Sequence, residues 1–372
     1  MKLKDLIESN NTGLDAIKRA PIVEYDTGIR CLRIGDISNN RPFNDWGYTE
    51  VEDNNYKKFQ LRKDDIIVAR TGATIGANKY IDKDYKSVYN NGLIRIRVKE
   101  ENNPKYVYYL LQSNNYRNFI KTISMGTSTQ PNMQMKDLLN LEVPEFDRDK
   151  QDKIVQLLGN IDKKIELNNE INNNLYEISK QLLLKYLDEN KSSDEINISK
   201  FLNIFTGKKN ANETSPTGKY KFFSCAPESL LSDTYLCDSA AIIVAGNGAY
   251  TGRTRFYDGK FELYQRSYGL TLKDGFEKNN IYGLYVFMKT IFEPDKMGGT
   301  HGSAIPYIVL SDLTDYKLKY NKVEFDRFSN LVSGNIKMIQ ENEKSNEKLS
   351  ELRDTLLPKL MNGEIDLDNI EI

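Results

Sequence analysis

The sequence contains very little histidine, tryptophan and cysteine, and it has no long apolar run. Among its 372 residues there is one tryptophan and one histidine, His301. A metal site built from several histidines is therefore excluded, and His301 alone remains as a histidine base. No stretch approaches the roughly 18 consecutive apolar residues that indicate a membrane-spanning helix. Together with a mean hydropathy of −0.60, this pattern predicts a chain without a membrane segment.

The cysteines and the first residues favour a cytoplasmic protein. Cys31, Cys225 and Cys237 are odd in number and lack the spacing of metal ligands, as is typical of reduced thiols. The opening segment MKLKDLIESNN lacks the apolar core of a secretory signal. Hydrophobic residues make up 39% and aromatic residues 10%, which is enough for folded cores. At this length we expect two or three domains.

The motifs of common enzyme classes are missing as well. The stretch GNGAYTG (246–252) has the spacing GxGxxxG and lacks the GK[ST] of a phosphate-binding loop, so it is interpreted as a turn after a strand. The stretch NNPKY (102–106) lacks the second proline of the amino-methyltransferase motif. No HExxH, GxSxG or CxxC motif is present. We therefore expect no catalytic residue, no metal site and no cofactor.

What the sequence does contain is a direct repeat. Residues 66–76 read IIVARTGATIG and residues 242–252 read IIVAGNGAYTG, at an offset of 176. Later blocks follow in the same order, including GTSTQP (126–131) against GTHGSAIP (299–306) and a helical stretch at an offset of 174. Chance similarity in a chain rich in Asn, Lys and Ile is the alternative. The common order of the blocks favours two duplicated modules.

Each half begins with a globular part in which apolar runs alternate with turns and helical segments. This alternation predicts an α/β or α+β fold with mixed sheets. The predicted helical segments are Tyr106–Ile120 and Ile281–Ile291. The predicted strands are Ile66–Ala69, Leu93–Val98, Ala240–Ala245 and Tyr268–Leu272.

A long amphipathic helix is predicted after each globular part. In residues 150–187 the apolar and asparagine positions step 4-3-4-3, which is heptad spacing, and Pro358 is expected to disturb the second helix near its end. Asparagine on such a seam fixes register, so we predict that the helices pair as an antiparallel coiled coil and relate the halves by a pseudo-twofold axis. The alternative is that each helix packs on its own module. The predicted pairing residues are Ile161, Ile165, Asn168, Asn172, Leu175, Leu182, Ile339, Asn342, Asn346, Leu349 and Leu356.

The near-zero net charge of −1 hides a segregation along the chain. Residues 1–149 and 197–325 carry net charges of +2 and +3, whereas residues 150–196 and 326–372 carry −2 and −4. The globular modules are thus mildly basic and the helical parts acidic. This bias has the sign that DNA contact by the modules requires, although it also suits a merely soluble surface.

Several blocks resemble the specificity subunit of Type I restriction-modification systems over essentially the whole chain. They are NEKLSELRDTLLPKLMNGEIDL (346–367), GTSTQP, the IIVARTGATIG turn, and the pairs Asp137-Leu138 and Val143-Pro144 with the segments 151–155 and 161–165. The resemblance implies target-recognition domains at 1–149 and 191–325, a spacer helix at 150–190, and a second spacer helix with a C-terminal tail at 326–372.

In such subunits each recognition domain reads one half of a bipartite double-stranded DNA target. The resemblance further implies that the paired helices set the gap between half-sites and dock two methyltransferase subunits, that ATP-dependent restriction subunits then join, and that the specificity subunit itself has no catalytic activity. Two other hypotheses remain open at this point. One is a stand-alone nuclease or methyltransferase, and the other is a coiled-coil adaptor that contacts only protein.

The candidate DNA contacts are polar side chains at matched positions of the two halves. Arginine suits guanine, and asparagine and glutamine suit adenine. The second half departs from the family pattern, because GTHGSAIP is longer than GTSTQP and lacks its glutamine. In the first half the candidates are Arg70, Thr71, Thr74, Lys79, Asn90, Asn91, Thr127, Ser128, Thr129 and Gln130. In the second half they are Asn247, Tyr250, Arg253, Arg255, Gln265, Arg266, Thr300, His301 and Ser303.

Overall fold

Contacts within the chain divide it into two units. The computed structural model describes residues 1–125, 132–291 and 306–367. Unit 1 comprises Met1–Lys164 and Lys348–Ile372, and unit 2 comprises Ile165–Glu347. The predicted combination of helices with mixed sheets is confirmed in both. Within the described ranges, no helix has the length and apolar content that crossing a bilayer requires.

Unit 1 contains two small sheets, one antiparallel and one mixed. Its strands are β1 (Ile7–Thr12), β2 (Ile22–Val23), β3 (Arg30–Leu32), β4 (Gly47–Thr49), β5 (Ile66–Ala69), β6 (Asn78–Tyr80), β7 (Ser87–Tyr89) and β8 (Leu93–Val98). The antiparallel sheet has the order β1-β8-β5-β6. The mixed sheet has the order β2-β4-β3-β7, in which β3 and β7 run parallel.

The helices that begin in unit 1 flank these sheets. They are α1 (Leu3–Leu6), α2 (Ile34–Ser38), α3 (Asp53–Phe59), α4 (Pro104–Leu110), α5 (Asn114–Met125), α6 (Met135–Leu139) and the long α7 (Arg148–Glu189), which continues into unit 2. The predicted helix over 106–120 is wrong in one respect, because it is interrupted between α4 and α5. Ser113 causes the break: its hydroxyl donates to the carbonyl of Leu110 at 2.7 Å and accepts from the amide of Tyr116 at 3.3 Å, which caps a new helix.

Unit 2 is built around one larger sheet. Its strands are β9 (Glu195–Asn197), β10 (Leu202–Thr206), β11 (Tyr220–Phe223), β12 (Leu230–Ser232), β13 (Cys237–Ala245), β14 (Thr254–Leu263), β15 (Ser267–Leu272) and β16 (Lys317–Lys319). The main sheet has the order β10-β15-β13-β14-β11-β12, with β11 parallel to β14, and β9 pairs with β16. The helices are α8 (Asn280–Ile291), α9 (Leu310–Thr314) and α10 (Lys322–Met361), which ends in unit 1.

The repeated IIVA segment is a strand that is buried on both faces. In unit 1, Ile66 and Val68 of β5 pack into a cluster with α4, whereas Ile67 packs into a second cluster with Trp46, which directly precedes β4. In unit 2, Ile242 of β13 packs against α8, and Ile243 packs against Phe223 and its neighbours. Burial on two faces explains why each strand is a continuous apolar run rather than an alternating one.

The second long helix continues through its proline. Pro358 lies inside α10, which runs on to Met361, so the helix does not end at the proline, and the expected disturbance near its end stays a prediction. A proline removes one backbone hydrogen bond. The neighbouring side chains of Leu357, Leu360 and Met361 are all buried in the unit 1 core, and this packing holds the last turn in place.

The three cysteines differ in accessibility, and this difference can be tested. Cys31 is fully buried and burial raises the pKa of its thiol to about 12, whereas Cys225 and Cys237 are partly exposed. Because the thiolate is the reactive form, we expect iodoacetamide at about pH 8 to alkylate Cys225 and Cys237 in the folded protein and to modify Cys31 only after unfolding. Peptide mass spectrometry of native and urea-unfolded samples measures this, and equal native labelling of Cys31 would contradict it.

Candidate nucleic-acid interface

In unit 1 the chain leaves β5 through a tight turn. The amide of Gly76 donates to the carbonyl of Ala69 at 2.8 Å, and the amide of Ala69 donates to the carbonyl of Ala77 at 2.8 Å. Gly72 and Gly76 have φ angles of +85° and +86°. Only glycine adopts this left-handed region without steric strain, which explains the glycine pattern of the segment.

Unit 2 builds the same turn after β13. The amide of Gly252 donates to the carbonyl of Ala245 at 2.8 Å, and the amide of Ala245 donates to the carbonyl of Arg253 at 2.9 Å. Gly248 and Gly252 have φ angles of +85° and +82°. The sequence repeat is thus also a repeat of backbone geometry.

Backbone hydrogen bonds join the turn of unit 1 to two other segments. The amide of Arg70 donates to the carbonyl of Gly92 at 2.9 Å, and the amide of Met133 donates to the carbonyl of Arg70 at 2.8 Å. Thr71 also forms a β-bridge with Asn132. The turn, the loop that contains Asn90 and Asn91, and the chain that follows residues 126–131 therefore meet at one end of β5.

The corresponding residues of unit 2 make the corresponding bonds. The amide of Gly246 donates to the carbonyl of Arg266 at 2.9 Å, and the amide of Ile308 donates to the carbonyl of Gly246 at 2.9 Å. Asn247 forms a β-bridge with Tyr307. In both units, segments far apart in sequence are brought to the same end of the central strand.

The candidate side chains of the first turn differ in how they are held. The guanidinium of Arg70 donates to Oδ1 of Asn132 at 3.2 Å, and the hydroxyl of Thr74 bonds that of Ser38 at 2.9 Å. Thr71 is half-buried and Thr74 is exposed. Lys79 lies farther along the chain in β6, where it is paired with Ile67 of β5. Burial lowers the pKa of its ammonium group.

Two buried polar atoms of this site lack a hydrogen-bond partner within the described part of the chain. They are Nε of Arg70 and Oδ1 of Asn90. Asn91, the next residue, is exposed. An unsatisfied buried polar atom costs about 1–3 kcal/mol, so both atoms carry a local energetic cost within the fold.

In unit 2 the turn presents one amide, one phenol and one cation. The thiol of Cys225 donates to Oδ1 of Asn247 at 3.1 Å. Tyr250 is exposed, and the guanidinium of Arg253 lies 4.5 Å from the centre of its ring. The cation–π interaction between the guanidinium and the ring favours this arrangement of the two side chains.

The remaining described candidates of unit 2 fall into two groups. Gln265 and Arg266 are both exposed beside the turn, and Gln265 donates to Oδ1 of Asn210 at 2.6 Å. Arg255 points elsewhere: its guanidinium donates to the carbonyl of Ala226, and burial lowers its pKa. The candidates Thr127, Ser128, Thr129, Gln130, Thr300, His301 and Ser303 lie outside the described residues.

Several residues that hold this site were not found from sequence. Ser38, Asn132, Asn210 and Cys225 each hydrogen-bond a candidate side chain. None of them belongs to a repeated block of the sequence. Asn132 and the second-half residues 307–308 directly follow the paired blocks GTSTQP and GTHGSAIP, which is the one signal that pointed toward this position.

Within unit 2, the predicted seam asparagines of the two long helices meet. Asn168 Nδ2 donates to Asn346 Oδ1 at 2.7 Å, and Asn342 Nδ2 donates to Asn172 Oδ1 at 2.8 Å. Asn335 Nδ2 donates to Ser179 Oγ at 3.1 Å. Residues with increasing numbers on α7 therefore contact residues with decreasing numbers on α10, which is an antiparallel order. Ile165 and Leu175 are half-buried, and Leu182 and Ile339 pack against the unit 2 core.

Within unit 1, the same two helices are joined by charge and apolar packing. Arg353 Nη1 lies 3.1 Å from Asp162 Oδ1, and the hydroxyl of Tyr109 donates to the same carboxylate at 2.6 Å. The predicted pairing residue Ile161 is buried, Leu349 is half-buried, and Leu356 packs against the unit 1 core. Arg353 and Asp162 were not predicted, because their pairing depends on the register of the helices.

Comparison with known proteins identifies a family for the first half. Residues 1–177 match the family model described as the Type I restriction modification DNA specificity domain. The EcoDI specificity subunit of Escherichia coli is 32% identical over 123 residues, which cover 32% of this chain and 26% of that protein. The chain thus spans about a quarter of that relative. Residues 1–177 belong to this specificity-domain family, and the resemblance predicted from the sequence motifs is confirmed.

Two further similarities extend over most of the chain. The MjaIX specificity subunit of Methanocaldococcus jannaschii is 22% identical over 325 residues, or 76% of this chain and 73% of that protein. The crystal structure of the Type I restriction-modification S subunit from M. genitalium aligns with a TM-score of 0.58 at 19% identity. It covers 97% of this chain and 95% of that one, so it shows a shared fold.

The two glycines of the first turn allow a matched test of its geometry. A Cβ atom on Gly76 would lie 2.7 Å from Cγ1 of Ile120, whereas one on Gly72 would meet no atom within 4 Å. Both positions have positive φ, so we expect Gly72→Ala to destabilise unit 1 by about 1–2 kcal/mol through strain alone. Gly76→Ala should cost about 1–3 kcal/mol more because of the clash. Urea unfolding followed by Trp46 fluorescence measures both, and equal losses would contradict the close approach of Ile120.

Proposed function

We propose that this chain is the DNA-binding specificity subunit of a Type I restriction-modification complex and has no catalytic activity of its own. The observation that carries the proposal is the duplicated turn, which is built twice with the same backbone bonds but presents different side chains. Each recognition module reads one half of a bipartite double-stranded target. Residues 1–149 and 191–325 serve as these modules.

The chemistry of the turns supports base reading. Arg70 and Asn90 in unit 1, and Asn247, Arg253 and Arg266 in unit 2, offer the donors and acceptors that discriminate base edges. Backbone bonds hold these residues at one end of a buried strand, so their positions vary little. Because the two turns carry different residues, the two modules are expected to prefer different half-sites.

The long helices serve as the spacer. Residues 150–190 and 326–372 contain α7 and the greater part of α10, and we propose that the helices pair as an antiparallel coiled coil. The antiparallel order of the asparagine contacts between α7 and α10 in unit 2 supports this pairing. The pseudo-twofold relation of the halves stays a prediction.

The helices also supply a surface for protein partners. Leu167, Ile171 and Ile178 of α7 are 43%, 41% and 53% exposed and follow heptad spacing along one face. Exposed apolar stripes of this kind mark sites of protein association. We propose that two methyltransferase subunits dock on the helices, and that ATP-dependent restriction subunits join the complex afterwards.

The proposed reading function is tested by two arginine substitutions. The target is first identified by mapping methylated sites in the host genome with and without this chain. Arg253→Ala and Arg266→Ala should each weaken binding to the specific duplex by about 1–3 kcal/mol and leave binding to a scrambled duplex nearly unchanged. Competition binding, with and without the methyltransferase subunit, measures the difference.

Lys260→Ala is the matched control for Arg253→Ala, since Lys260 is exposed toward the end of β14 that lies away from Arg253. Specific binding that stays unchanged in both arginine variants would refute their assignment to base reading. Absence of any sequence preference in the wild type, alone or with the methyltransferase subunit, would refute the function and favour an adaptor that contacts only protein.

The helix pairing is tested by a double-mutant cycle on Asn168 and Asn346. Asn168 is 2% exposed and donates to Asn346 Oδ1, whereas the Asn346 amide group itself donates to Asn169 Oδ1 at 2.9 Å, so removing Asn346 leaves the buried Asn168 amide unpaired. We expect Asn168→Ala and Asn346→Ala to show a coupling energy of about 0.5–3 kcal/mol in the free energy of unfolding. Asn173→Ala, at an exposed position on the same helix, should have little effect. A coupling energy near zero would argue against the pairing.

A further inference from the structure

Helix α5 of unit 1 has a basic outer face. Its inner residues Tyr116, Phe119 and Ile120 pack against the core of unit 1. Its outer residues include Arg117 and Lys121, both exposed and one turn apart, and the helix sequence NNYRNFIKTISM contains no acidic residue. Side chains at this spacing lie on the same face of a helix, with their Cβ atoms about 5–6 Å apart.

The helix is fastened to the glycine turn of the candidate interface. The hydroxyl of Tyr116 donates to the carbonyl of Gly76 at 2.9 Å. Asn78, just beyond the turn, donates to the carbonyl of Leu111 at 2.7 Å. The close approach of Ile120 to Gly76 leaves no space for a side chain on that glycine. Any duplex that lies on the turn therefore also lies near α5.

Arg117 shares a surface cavity with the turn. The cavity has a volume of about 480 Å³, and Ser38, Gly76 and Arg117 are among the residues that line it. Ser38 in turn bonds Thr74, one of the candidate DNA contacts. The cation of Arg117 thus lies on the same surface as the turn.

Neither cation pairs with an acidic side chain of the described residues. Within the described part of the chain, Arg33 and Arg97 form ion pairs with Asp36 and Asp65, whose carboxylates are buried. Arg117 and Lys121 form no ion pair and no side-chain hydrogen bond with any described residue, so their charges are available to an external anion. Phosphate oxygens are the anions that a DNA backbone offers, and arginine and lysine are their usual protein partners.

We propose that Arg117 and Lys121 bind backbone phosphates next to the half-site that the first turn reads. This inference rests on the proposed function. The two residues position the duplex on the turn and carry no sequence information, since phosphates are the same at every step. They were absent from the candidates found by sequence, because α5 lies outside the repeated blocks.

The test compares two double variants of the full chain, measured with the methyltransferase subunit. Arg117→Ala with Lys121→Ala should weaken binding to specific and scrambled duplexes by similar severalfold factors. The slope of log affinity against log salt concentration should become shallower by about one for each lost phosphate contact, so by about two in total. Arg62→Ala with Lys63→Ala removes the same charges from exposed positions beyond the opposite end of β5, and it should leave the slope unchanged.

The possible outcomes separate this inference from the function on which it rests. The phosphate site is overturned if the salt slope is unchanged in the Arg117 and Lys121 variant, or if both double variants make the slope shallower by the same amount. In either case, sequence-specific binding by the wild type would still support the proposed function. A wild type without sequence preference overturns the function itself. A loss confined to the specific duplex also overturns the inference, because it would indicate base reading.

Discussion

The backbone of one residue in each unit holds the candidate interface together. In unit 1 the residue after β5, Arg70, donates its amide to Gly92 and accepts from Met133. In unit 2 the residue after β13, Gly246, donates to Arg266 and accepts from Ile308. A single residue thus connects three segments that are distant in sequence. The strand before it is buried on both faces, so this junction is attached to the core of each unit.

Bonds of this kind leave the side chains free to differ. Arg70 and Gly246 make the same two backbone contacts although one is a large cation and the other has no side chain. Thr74 and Tyr250 likewise occupy matched places with different chemistry. A frame that depends on backbone groups and on glycines with positive φ tolerates substitution at the positions between them. Such a frame suits the function proposed above, in which the two modules read different sequences.

The sequence predicted the four apolar strands β5, β8, β13 and β15, the glycine turns and the long helices because their signals are local or repeated. The run IIVA, the glycine spacing and the heptad steps each fall within a few residues. The break before α5 was missed because Ser113 acts as a helix cap only if the preceding helix α4 ends before it, and the local sequence does not show where α4 ends. Contacts such as Cys225 with Asn247 were missed because they depend on tertiary folding. Arg255 looked like its neighbour Arg253 in the sequence, and only packing against Phe223 and Ala226 distinguishes them.

The asparagine contacts between α7 and α10 in unit 2 also fix one specific arrangement, as the backbone bonds of the turns do. A seam of leucines is satisfied in several registers, whereas Asn168 finds the amide of Asn346 in only one. A shift by one heptad would place Asn168 opposite Ile339 or Arg353 and leave a buried amide without its partner. The seam therefore gives up some apolar stability and gains a single register. If the helices act as the proposed spacer between two reading sites, a unique register fixes the distance between those sites.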